Sequence, residues 1–205
     1  MNHAARAESG CHTLEVRVVR QEGDTLILQY AFHNKGQQNT YLFNRVFKGL
    51  DDRGKYRTHG DFVYVELDSV QVVISKKVMP VPPDVEVEKP VVPCVSLVRP
   101  GEKCEEQFAV SLPLKAWTPY RRSEGDETEE SVTALPLWFE VGYFSTSKEG
   151  DALAKTVETT EGPALCFYPF WPSSQSILRA GPVMDAVPVV VRRPLPRTGG
   201  KNPGH

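Results

Sequence analysis

At 205 residues the chain is long enough for one ordinary domain, and with 40% hydrophobic and 24% charged residues it can bury a core as a soluble globular protein. Twenty-four basic residues against 26 acidic ones leave a net charge of −2, which excludes a polyanion-binding protein whose whole surface is basic, so no nucleic-acid partner is expected. No apolar run approaches the ~20 residues that span a bilayer, and 17 prolines with 15 glycines suit strands joined by turns better than a helical bundle.

Residues 1–11 lack the apolar stretch of a secretory signal and are expected to form a flexible leader, which points to a cytoplasmic location. Strands are then predicted in chain order from period-2 alternation. Leu14-Glu15-Val16-Arg17-Val18 and Leu26 to Phe32 read as an antiparallel pair across the Gln21-Glu22-Gly23-Asp24 turn. Tyr41 to Phe47 follows, then a turn at Asp51-Asp52-Arg53-Gly54, then Phe62 to Leu67 and Val70 to Ile74. Five prolines in residues 79–93 exclude a central strand there and imply an extended connection. Val95 to Val98, Gln107 to Leu112, Leu135 to Phe144 and Ala164 to Phe170 complete about nine strands. Residues 121–131 hold five acids, two arginines and no apolar side chain, the composition of a solvated loop. From Trp171 onward five basic residues face one acid, so residues 173–205 read as a Pro-rich basic tail, partly disordered, with Val187 to Val191 able to add an edge strand.

The predicted core is Leu14, Val16, Val18, Leu26, Leu28, Tyr30, Phe32, Leu42, Val63, Val65, Val72, Ile74, Phe108, Val110, Leu137, Phe139, Val141 and Phe167. The fold class is all-β, a two-sheet antiparallel sandwich over residues 12–172. The Asn34-Lys35-Gly36 turn, the Arg99-Pro100-Gly101-Glu102 turn and Leu112-Pro113-Leu114 resemble the order of features in immunoglobulin-like or fibronectin-type bacterial sandwich modules. That resemblance implies a fold and transfers no functional residue. The first tryptophan, Trp117, already follows Cys104, which departs from the Cys, Trp, Cys order of antibody domains.

Catalytic motifs are absent: there is no G-x-S-x-G, P-loop, H-E-x-x-H or G-x-G-x-x-G. The five histidines (His3, His12, His33, His59, His205) have no metal-ligand spacing and read as surface imidazoles. Cys11, Cys94, Cys104 and Cys166 form no C-x-x-C pair, and Cys94 and Cys104, flanking the Pro100-Gly101 turn, are expected to be two thiols. Asp51, Asp52 and Asp61, and the acids of 124–130, lack the calcium-loop pattern, so no metal or cofactor is predicted. The ring-rich segment Phe167-Tyr168-Pro169-Phe170-Trp171 and the isolated Trp117 offer aromatic surface. The leading expectation is a non-enzymatic module binding another protein or peptide through strand edges or loops, with a possible homo-oligomer and with Trp117, Tyr168, Phe170 and Trp171 as candidate binding residues. The alternatives are a carbohydrate- or lipid-binding sandwich using those rings as a platform, and a hydrolase or metal enzyme assembled from loops.

Overall fold

The computed structural model describes residues 4–120, 128–168 and 170–194. The chain is built almost wholly of strands: β1 (Ala4–Ser9), β2 (His12–Glu22), β3 (Thr25–Asn34), β4 (Asn39–Arg45), β5 (Phe47–Leu50), β6 (Tyr56–Thr58), β7 (Tyr64–Leu67), β8 (Val72–Lys76), β9 (Cys94–Val98), β10 (Lys103–Ser111), β11 (Leu114–Lys115), β12 (Thr128–Thr146), β13 (Lys155–Thr159), β14 (Gly162–Cys166) and β15 (Ser176–Pro194). One helical turn at Lys148–Asp151 and a 3₁₀ turn at Pro172–Ser174 complete the described elements.

The expected hairpin forms. Strands β2 and β3 pair antiparallel with Leu14 opposite Phe32 and Val16 opposite Tyr30, and a bulge follows Val18. With β1 and β10 they make a four-stranded sheet in the order β1-β2-β3-β10. The remaining strands join an eleven-stranded assembly, and its pairing is mixed, since β8 runs parallel to β12 and β11 parallel to β15. The architecture is therefore all-β with two sheets, but it has more strands than the nine expected and is not wholly antiparallel. Part of the surplus comes from the short pieces β5, β6 and β11, which carry too few residues to show a period in the sequence, and the rest from β1, β13 and β15.

Part of the larger assembly closes on itself. Strand β8 pairs with β7 and with β12, β12 pairs with β15, β15 pairs with β11, and the chain just past β11 returns to β7 through a Val65–Trp117 bridge. Leu114, Leu137, Val65, Val72, Ile74, Val187 and Val189 from this ring share one core with Leu26, Leu28, Tyr30, Phe32, Phe108 and Val110 of the smaller sheet. The predicted core residues are buried, apart from partly covered Val18, with Phe167 in a second cluster around Tyr41, Phe43 and Val95.

Several expectations need correction. Residues 4–9 are not a free leader but strand β1, because Ala5 and Ala7 turn small apolar side chains to the core. Residues 176–194 are not a tail but strand β15, which buries Leu178, Ala180, Val183, Val187 and Val189. Its prolines fit because, among the described residues, the strand's outer edge meets another strand only at Val189 and Val190. The Pro100-Gly101 turn links strands of different sheets, since β9 pairs with β4 and β14 whereas β10 pairs with β3. Cys94, expected to be a thiol, forms a disulfide with Cys166, while Cys104 remains a thiol. Residues 128–131 of the expected acidic loop belong instead to β12, while 121–127 and the tail beyond Pro194 lie outside the described residues.

Candidate binding groove

An open groove of about 900 Å³ runs between the segment His59 to Val65 and the turn from Ala109 to Lys115. Its floor is the outer layer of the core, with Val63, Val65, Val110, Leu112 and Leu114. One wall is aromatic. Trp117 is fixed by two backbone hydrogen bonds with Val65 (2.8 and 2.9 Å), and its ring stacks on buried Tyr64 at 5.3 Å. The Lys48 ammonium, from β5, lies 4.5 Å from the centres of both the Trp117 and Phe62 rings. Rings attract a cation through their negative faces, and this placement also removes water: burial lowers the Lys48 pKa from its ordinary value. Among the described residues no carboxylate forms an ion pair with Lys48.

The opposite wall is the edge of the four-stranded sheet. Strand β10 has β3 on one side and no strand on the other among the described residues. The Asp61 carboxylate accepts the Ala109 N–H at 2.8 Å, occupying one position that a neighbouring strand's carbonyl would fill. His59 Nδ1 accepts the Asp61 N–H at 3.2 Å.

The loop carrying Asp61 is tied into the interior by charge. Lys76 is 0% exposed, and its ammonium donates to the Gly60 carbonyl at 2.8 Å and to Glu106 at 3.1 Å. Glu106 also accepts from Tyr30 (2.6 Å) and Asn44 (2.7 Å), with Arg45 at 3.5 Å. Burial lowers the Lys76 pKa, and the adjoining Glu106 carboxylate acts in the opposite sense. An ammonium without a partner at this depth would cost several kcal/mol, so the Lys76–Glu106 pair fixes where Gly60, and with it the groove wall, must lie.

The four aromatic residues singled out in the sequence do not converge. Trp117 lines the groove. Tyr168 donates its hydroxyl to the Val92 carbonyl at 3.3 Å, and Phe170 packs edge-on against Phe43 at 4.7 Å, so both serve the second core cluster. Trp171 is 62% exposed and stands apart from the groove. Lys48 and Phe62 were missed because sequence spacing carries no sign of a cation between two rings. His12, expected at the surface, is buried: its Nε2 lies 3.0 Å from Thr40 Oγ1 and 3.4 Å from Ser145 Oγ, and its ring stacks on Phe32. Its place two residues before Leu14 was the available signal, since residues i and i+2 share a face.

Among the described residues no group of three or more His, Cys, Asp or Glu side chains is arranged to hold a metal ion, and no helix is long and apolar enough to cross a membrane. No family model, curated protein or solved structure matches the chain.

Proposed function

We propose that the protein is a non-enzymatic binding module that takes an extended, acidic peptide segment of a partner protein into the groove beside β10. The observation that carries this reading is Lys48 held between Phe62 and Trp117, a partly desolvated cation with no carboxylate partner among the described residues, standing over an apolar floor. A carboxylate side chain would complete the pair in a charge-assisted contact with the Lys48 ammonium, whose residue is itself exposed on β5. Val63, Val65 and Leu112 would take alternate apolar side chains of the same segment, following the period of an extended chain. The volume lies within the ~300–1,000 Å³ of ordinary ligand sites. A sugar platform is less well supported, because Trp117 already carries a ring and an ammonium over its faces while Tyr168 and Phe170 are packed.

The test is an array of extended peptides with and without a central Asp or Glu, read by fluorescence polarisation. Acidic members are expected to bind, with affinity falling roughly tenfold in Lys48→Met and in Trp117→Ala, as for loss of a charge-assisted contact. Equal binding of neutral peptides, or unaltered affinity in Lys48→Met, would overturn the reading. Retention of glycans in place of peptides would promote the sugar-binding alternative.

A further inference from the structure

Strand β12 is 19 residues long, but its two edges are used unequally. One edge pairs with β15 from Thr128 to Tyr143. The other pairs with β8 only over Leu137–Val141 and with β4 only over Tyr143–Thr146. From Thr128 to Pro136 that second edge has no strand beside it among the described residues, and Glu130, Ser131, Val132, Thr133 and Ala134 are all exposed. Val132, at 65% exposure, stands on the face away from the core, beside the Glu130–Arg192 ion pair at 2.8 Å. A bare edge free of proline over Ser131–Leu135 is a template for another strand, and natural sheets ordinarily blunt such edges.

We infer that this edge of β12 pairs with the same edge of a second copy, antiparallel and centred on Val132, to give a two-fold dimer with a continuous sheet. The residue order selects that occupant and that register. Centring on Val132 sets it against itself, Ser131 against Thr133, and Glu130 against Ala134, a β-branched pair and two hydroxyl pairs with no like charges opposed. Centring on Glu130 would oppose two carboxylates, and centring on Ser131 would set a carboxylate against Val132. Centring on Thr133 would set Pro136, with no N–H to donate, against Glu130 inside the ladder, whereas the Val132 register leaves it at the end, opposite Thr128. The Val132 register sets the exposed valine against its own copy at the centre and opposes no two carboxylates. The inference is independent of the groove, which lies on other strands.

Sedimentation of the full chain over a concentration series is expected to show a monomer–dimer equilibrium. Val132→Lys places two ammonium groups face to face and should weaken it roughly tenfold or more, with partial recovery in high salt. Because Val132 is exposed, the variant keeps its fold, which its melting temperature verifies. In a Cys11→Ser background, Val132→Cys should cross-link on mild oxidation, whereas Val70→Cys, equally exposed but off the edge, should not. A monomer at every concentration, a Val132→Lys dimer as tight as the parent, or cross-linking no faster at position 132 than at position 70 would each overturn the inference. Lys48→Met, which tests the groove, should leave the dimer unchanged.

Discussion

His12 illustrates how a polar side chain enters a core without an ion pair. Its imidazole is clamped between Phe32 and Tyr143, and the Thr40 and Ser145 hydroxyls, 2.8 Å apart, serve its inner nitrogen. Burial pushes its pKa below the ordinary value of 6.5. The unfolded chain therefore binds a proton at a higher pH than the native protein does, and stability must fall as pH drops from about 6.5 toward the native pKa. Melting temperatures of the native protein should decline across that window more steeply than those of His12→Gln, which has no proton to take up. Parallel declines would show that other groups dominate. Lys76 is the contrasting case, since its charge is kept in the interior by Glu106 and the Gly60 carbonyl. Nothing in the run Val72-Val73-Ile74-Ser75-Lys76 marks that lysine as buried. The alternation of the strand does, however, put position 76 on the same face as Val72 and Ile74, and only its partner on β10, 30 residues later, makes that face tolerable.

Among the elements, β9 and β14 show what the sequence could and could not convey. Both were legible as apolar runs, yet they share a single ladder position, Leu165 opposite Val95. The link between them is covalent: Cys94 and Cys166, 72 residues apart, bring their Cα atoms to 4.6 Å. Pairing of cysteines so distant leaves no local trace in the sequence. Closing a loop of that length restricts the unfolded chain by about 4 kcal/mol in the entropic account. Reduction, or Cys166→Ala, should lower the denaturation midpoint by a corresponding amount and loosen the cluster of Tyr41, Phe43 and Phe167 before the main core. An unchanged midpoint under reductant would show that the bridge contributes little. Because glutathione removes such bridges in a cytosol, non-reducing mass spectrometry of protein from its native source also tests the expected location.

At the scale of the whole molecule, the layered core was predictable because period-2 alternation survives wherever a strand is longer than about four residues. The closure of β7, β8, β12, β15 and β11 was not, since it depends on parallel pairings and on one bridge at Trp117, none of which alters the local pattern. It also explains why residues read as tail are indispensable. Val183, Val187 and Val189 are fully buried, and a chain ending at Gln175 should lose the cooperative melting transition. Retention of that transition would disprove the structural role of β15.

The closure has a further consequence for how the protein is made. The stave that completes the ring, β15, is the last of the described strands, and its partners β12 and β11 both precede it in the chain. Until β15 emerges, the nascent polypeptide must carry oily strands with nothing to shield them, a burden that chains rich in sequence-distant contacts share. Assembly is then a single late event, and the cell has to keep the growing chain from sticking to its neighbours until it occurs.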